Sequence, residues 1–235
     1  MKPKRTHIGV LLDRSGSMAS IRDDMIGGFN TFLDEQRGVE GEATVSLARF
    51  DDIYEDVYSG VPIADAPLLN HENFKPRGNT AMRDALGRFI VKTGAFLSAI
   101  PEPDRPELVV IYVITDGFDN VLDQEYSSAR LREMVKHQEE VYKWQFQYLG
   151  ANQNAVLGGK SIGLAAAASV NYLANQRSVQ SAYRVVGATL RSARLGVRAS
   201  INLSEMEKSA IVADGERKPE LSGTLTEGVK SRSQA

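Results

Sequence analysis

The run Leu108-Val109-Val110-Ile111-Tyr112-Val113-Ile114-Thr115 limits the fold more than any other part of this chain. It is uncharged, rich in β-branched residues and apolar on both pleat faces. Such a strand must be covered on both sides, which is the condition of a central parallel strand. Residues 6–12 form a second buried run. Between and after the two, segments of strand and helix character alternate. Ile21, Met25, Phe29 and Phe32 mark one face of a helix over 20–37. Ala43 to Phe50 reads as a strand, Asp51-Asp52 as a tight turn, and Ile53 to Tyr58 as a short antiparallel edge strand. After a Pro-containing connection over 60–78, a helix over about 80–98 buries Met82, Leu86, Phe89, Ile90 and Leu97. Pro101, Pro103 and Pro106 end it. A helix near 127–142 and a strand Phe146–Leu149 follow. The alternation predicts a doubly wound α/β fold: a mostly parallel sheet with one antiparallel edge strand and helices on both faces.

Beyond residue 150 the pattern is weaker. Ile162 to Ser169 fits a helix or a packed loop, and Asn171 to Ala174 a last edge strand. Residues 176–198 fit a helix through Val179, Tyr183, Val186, Leu190, Ala193 and Val197. Ser204-Glu205-Met206-Glu207 fits a capping box. The expected organisation is one domain over 1–200, a short helical extension over 201–213, and a disordered tail over 214–235, where large apolar residues are scarce.

In such sheets ligands sit at the carboxyl ends of strands, where the strand order reverses. Two strands end there in chemistry. The first runs into Asp13-Arg14-Ser15-Gly16-Ser17-Met18, the second into Thr115-Asp116-Gly117. Oxygen donors spaced D-x-S-x-S suit a hard divalent cation, but Asp13, Ser15 and Ser17 cannot complete a shell of about six oxygens. Thr80, in the loop Arg77-Gly78-Asn79-Thr80-Ala81-Met82, and Asp116 are the candidates for the rest. Taken alone, Asp13 could be a helix N-cap with loop serines behind it, Thr80 another cap, and Asp116 a turn residue. Together they form a metal-site hypothesis.

This set resembles the von Willebrand factor type A domain and its metal-ion-dependent adhesion site. There, D-x-S-x-S follows the first strand, a threonine precedes a later helix, and an aspartate follows the fourth strand, commonly as T-D-G. Asp13, Ser15, Ser17, Thr80 and Asp116 match in order, over roughly residues 6–196. The family often also has S-G-S-M after the aspartate, as Ser15-Gly16-Ser17-Met18 does here, and the chain looks closest to its stand-alone intracellular members, such as the tellurite-resistance type and related bacterial and phage proteins. The resemblance implies Mg²⁺, with Mn²⁺ as a substitute. It implies direct ligation by the two serines and, when engaged, the threonine, and water-mediated contact from the two aspartates. It also implies a protein partner whose Glu or Asp completes the shell.

Several other functions lack their parts. There is no cysteine, so disulfides, thiolate metal sites and cysteine nucleophiles are excluded. Gly159-Lys160-Ser161 lacks the glycine a phosphate loop needs at 154, where Asn154 stands. A phosphotransferase of the haloacid-dehalogenase kind needs a second carboxylate two residues after Asp13, and Ser15 stands there. His7, His71 and His137 match no metal or triad spacing. No enzyme activity is therefore expected. A net charge of −2 gives no reason to expect nucleic acid as a partner. The apolar run before Asp13 is too short for a signal segment and no run is long enough to span a membrane, so a cytoplasmic location is expected. Arg177, Arg184, Arg191 and Arg198, with Arg194 beside them, predict a basic stripe on the last long helix. It is either a solvated face or a docking strip for an acidic partner or nucleic acid, which leaves an assembly component working through that helix and the tail as an alternative function.

Overall fold

In the computed structural model, which describes residues 5–122, 124–152 and 155–217, β1 (Thr6–Asp13) and β4 (Leu108–Thr115) lie side by side and parallel, paired from Thr6↔Leu108 to Leu12↔Ile114. Both are buried along their whole length, as their lack of polar alternation requires. β2 (Ala43–Phe50) flanks β1 in parallel, with Asp13 opposite Phe50. β3 (Tyr54–Pro62) folds back antiparallel on β2 as the edge strand, with register shifts near Leu47. On the other side come β5 (Gln145–Ala151) and β6 (Ser169–Tyr172), both parallel. The order is β3-β2-β1-β4-β5-β6. The chain runs outward one way from β1 and the other way from β4, so the reversal point lies between the two best strands.

Helices cover both faces. α1 (Arg22–Arg37), α5 (Gln176–Arg194) and α6 (Glu205–Glu216) pack on the side of Val10, Leu12, Tyr112 and Ile114. α2 (Met82–Ala99), α3 (Ser128–Tyr142) and α4 (Ala155–Ser161) pack on the side of Leu11, Ile111, Val113 and Tyr148. The odd–even split of β1 and β4 residues between the two cores is the period-2 alternation of a strand. A side chain at Gly28 would collide with the Tyr183 ring, so that glycine sets how closely α1 and α5 approach.

Four details differ from the sequence expectations. The edge strand runs to Pro62, past Tyr58. Ile162–Ser169 holds only a 3₁₀ turn (Ala166–Ala168) before β6, and the helix, α4, comes earlier. α5 ends at Arg194 and not at 198. α6 runs to Glu216, three residues past the expected boundary at 213, because Ser181 and Arg184 hold Asp214 and Asn175 holds the Gly215 carbonyl. The rest of the expected tail, 218–235, lies outside the described residues, as does Asn154. No helix among the described residues is long and apolar enough to cross a membrane.

Candidate metal centre

Asp13 is the last residue of β1 and is fully buried. Its two oxygens are held apart. Oδ1 accepts from the Ser15 backbone N–H at 2.6 Å, and Oδ2 accepts from the Thr115 hydroxyl at 2.5 Å. Asp13 therefore cannot serve as the cap of a following helix. Ser15 and Ser17 are carried by a 3₁₀ turn (Gly16–Ile21), with their hydroxyls 3.2 Å apart. Ser17 donates to Asp116 Oδ1 at 2.7 Å. One carboxylate on each central strand end is thus linked to the hydroxyls of the first loop.

Thr80 arrives from the far side. A methyl group built on Gly117 would lie 3.6 Å from the Thr80 hydroxyl and 4.0 Å from the Ser17 hydroxyl, so both side chains reach the same side of the Asp116 turn. Thr80 is buried, and its N–H and C=O are both engaged by Asn120, at 2.8 and 3.2 Å. The structure therefore brings Asp13, Ser15, Ser17, Thr80 and Asp116 to one place at the reversal point. Asp13, Ser15 and Thr80 lie within it and Ser17 at its mouth.

The electrostatics suit a cation. Burial pushes the Asp13 carboxyl up to about 6, against the opposing hydrogen bonds from Thr115 and Ser15, and neighbouring Asp116 adds to the rise. Burial also raises Asp116, against its bond from Ser17. Among the described residues, none of the leading influences on either carboxyl is a basic side chain. Desolvated acids without a counter-charge favour any positive ligand placed between them. Neutral hydroxyls complete the set, and no cluster of three His, Cys, Asp or Glu occurs among the described residues. Two carboxylates and three hydroxyls, with no soft donor, fit a hard divalent ion.

The nearest basic groups are turned elsewhere, and these were invisible in the sequence reading. Asp51, read as a turn residue, is buried and pairs with Arg14 at 2.9 Å and Arg77 at 2.7 Å. Glu55 takes the other side of Arg14 and also Arg49, each at 2.7 Å. Asp52 accepts from the N–H and side-chain amide of Asn79 at 3.0 and 2.9 Å. Asp119 accepts from the Arg83 N–H and guanidinium at the start of α2. One signal was available: an aspartate ends β1 (Asp13) and follows β2 and β4 directly (Asp51, Asp116), so three neighbouring strands end in acid at the same end of the sheet.

The expected basic stripe does not form as such. Arg194 is fully buried and donates to the carbonyls of Gln36, Val39 and Gly41. Arg198 lies past the end of α5, pairing with Glu207 at 2.9 Å and donating to the Asn202 carbonyl. Arg184 pairs with Asp214, and Arg177 donates to the Arg217 carbonyl. Arg177, Arg184 and Arg191 remain exposed on α5. Lys160 and Ser161 close α4 rather than open a helix, so no helix N-terminus stands behind them for a phosphate.

No protein-family model and no curated protein sequence matches the chain. Solved structures do match. The von Willebrand factor type A protein from Catenulispora acidiphila aligns with TM-score 0.52 at 15% identity, over 82% of this chain and 44% of that one. Proximal thread matrix protein 1 of the mussel byssus, with a zinc-occupied MIDAS motif, aligns with TM-score 0.55 at 13% identity, over 80% and 46%. The vWF domain of the type V pili tip protein Mfa5 from Porphyromonas gingivalis aligns with TM-score 0.56 at 10% identity, over 84% and 98%. The chain spans under half the length of the first two proteins. At these identities the likeness establishes architecture: this chain has the fold of a von Willebrand factor type A domain.

Proposed function

We propose that this protein is a divalent-metal-dependent protein-binding module and not an enzyme. The observation that carries this reading is the convergence of Asp13, Ser15, Ser17, Thr80 and Asp116 from three separate loops at the sheet's reversal point, with two carboxyls that burial raises and no basic side chain among the leading influences on them in the described residues. The three hydroxyls would ligate directly, and the two aspartates would act through water or directly. The donor chemistry suits Mg²⁺, with Mn²⁺ as a substitute. The zinc-occupied MIDAS motif of the mussel protein supports a divalent ion at this place in the fold. A bound ion supplies a Lewis-acidic position open to an oxygen ligand from outside.

The chain's own residues set what that ligand can be. Ser15, Ser17 and Thr80 are uncharged, so they leave most of the ion's charge uncompensated. Asp13 is buried and held by Ser15 and Thr115, so it cannot swing outward to fill the outer position. Ser17 is exposed at the mouth. An anionic oxygen approaching from solvent, the Glu or Asp of a partner protein, completes this arrangement. Ser15 stands where a hydrolase would need a second carboxylate, which disfavours a phosphotransferase.

Titration with Mg²⁺ by calorimetry, followed by capture of partners with and without chelator, tests the reading. Wild type should bind Mg²⁺ and lose its partner in chelator, and Asp13→Ala should bind neither Mg²⁺ nor the partner while remaining folded. Undiminished partner binding in chelator would overturn it. The assembly reading, through α5 and the tail, makes the opposite forecast: Asp13→Ala assembles normally and truncation after Asp214 does not.

A further inference from the structure

The five candidate ligands are not equally anchored. Asp13 ends β1 and Asp116 follows β4, so strand ladders fix both. Ser15 and Ser17 follow Asp13 directly. Thr80 lies at the end of an irregular connection that leaves β3 at Pro62, with one 3₁₀ turn (Ile63–Asp65) before α2 begins at Met82. A loop of that length has many closures of similar cost. Something must select the one that delivers Thr80.

Asp51 is placed to do so. It follows β2, and Phe50 pairs with Asp13, so Asp51 stands beside Arg14 at the end of the ladder. Its Oδ2 meets the Arg14 Nε at 2.9 Å and accepts from the Arg77 Nε at 2.7 Å. Its Oδ1 accepts from the Ile53 N–H at 2.7 Å. Its carbonyl accepts from the Ala81 N–H at 3.1 Å. One residue therefore holds the chain on both sides of Thr80, at 77 and at 81, and holds the middle of the D-x-S-x-S loop at 14. Two backbone bonds close the same gap: Arg77 N–H to the Arg14 carbonyl at 2.8 Å and Gly16 N–H to the Gly78 carbonyl at 3.1 Å. Asp51 and Arg14 are almost fully buried, so this contact is little screened by solvent.

We propose that Asp51 is the positioning residue of the metal site, fixing Thr80 against the Asp13 loop through Arg14 and Arg77. The proposal rests on the metal-binding reading above. It assigns no contact between Asp51 and the ion. Its claim is that Asp51 acts by placing Thr80, because the Asp13 loop that it holds at Arg14 is already fixed by the β1 ladder.

Calorimetric Mg²⁺ titrations of six full-length proteins test it: wild type, Asp51→Asn, Arg77→Ala, Thr80→Ala and the two doubles with Thr80→Ala. Groups behind a ligand typically contribute about 10–100-fold in metal affinity. Asp51→Asn should lose about 10-fold or more, and Arg77→Ala a smaller factor. Arg77 is half exposed, so its variant should keep the wild-type melting temperature and carries the test if Asp51→Asn does not fold. In the Thr80→Ala background neither change should weaken binding further. Wild-type affinity in the single variants, or the same fold-loss with and without Thr80, would overturn the proposal, the second result marking a general structural role. Wild type that binds no Mg²⁺ would instead overturn the metal reading, and this inference with it.

Discussion

Both edges of the sheet bury polar side chains, and they treat them in opposite ways. At the edge where the parallel strands begin, buried groups turn their contacts inside the fold. Arg194 spends its guanidinium on the carbonyls that end α1 and lead into β2. His7, held neutral by burial with its pKa down to about 4, meets the Thr44 hydroxyl and the ring of Phe96. At the edge where the strands end, Asp13, Ser15, Ser17 and Asp116 turn toward one another, and among the described residues no basic side chain is a leading influence on Asp13 or Asp116. Burial alone does not mark function. The mark is a buried acid whose partners are other oxygen donors, because that arrangement is costly until something positive arrives.

The largest effect expected is Asp13→Asn. Mg²⁺ affinity should fall by more than the roughly 10–100-fold assigned to groups behind a ligand, while the urea midpoint of the metal-free protein stays close to wild type. The neutral amide oxygen can still accept from Ser15, and a desolvated charge is gone. Arg194→Ala is the converse. It leaves three carbonyls without their donor and empties the space of a buried side chain, so stability should drop by about 3 kcal/mol with Mg²⁺ affinity intact. If Arg194→Ala weakened Mg²⁺ binding in the folded protein, the two edges would not be independent and the contrast would fail.

The fold and the site were legible for different reasons. The central strands announce themselves, since apolar residues on both pleat faces leave few placements. Four of the five candidate site residues announce themselves by position at or just past strand ends, and Thr80 by its place in the Gly-containing loop just before α2. Asp51 did not, because its role depends on which strand neighbours which, and an Asp-Asp pair after a strand looks like a turn. α4 escaped because Gly158 and Gly159 lower helix propensity. The structure needs both, since side chains there would meet Tyr148 and Ser169. The seven-residue spacing joins Arg177, Arg184, Arg191 and Arg198, and Arg194 beside them belongs to a different face. At about 100° per residue, Arg194 falls about 20° from Tyr183, inside the apolar face of α5. That was readable in the sequence, and an arginine on an apolar face should have been taken as an anchor.

Titration sharpens the contrast further. The His7 pKa lies near 4 in the fold against about 6.5 in the unfolded chain, so the unfolded chain binds the proton more readily. Its stabilising contribution is present above about pH 6.5 and drains away as pH falls toward 4. The expected loss is about 2 kcal/mol between about pH 7 and pH 5. Asp13 in the metal-free protein has the opposite sign. Its raised pKa makes stability rise as pH falls through about 6. Asp13→Asn should therefore steepen the acid sensitivity of the metal-free protein, and His7→Leu should flatten it. Urea melts of both variants at several pH values measure the two slopes. Equal slopes in all three proteins would mean that neither group titrates as its surroundings require.

The smallest effect separates the edges most cleanly. Ser204 and Glu207 form a reciprocal cap at the start of α6: the Ser204 hydroxyl accepts from the Glu207 N–H, and the Glu207 carboxylate accepts from the Ser204 N–H at 2.7 Å. Arg198, joined by Ser204, holds that carboxyl down at about 2. Lys208, one turn on, donates to the Ala166 carbonyl ahead of β6, which places this cap at the edge where the strands begin. Ser204→Ala should cost about 1 kcal/mol and speed amide exchange in the first turn of α6. The far end of the helix should stay protected, because Asn175, Ser181 and Arg184 still hold it. Mg²⁺ affinity should not move. Should it fall with so local a change, α6 would be linked to the site through the Gly215 and Asp214 contacts beside β6, and the division between a structural edge and a working edge would give way to a single coupled body.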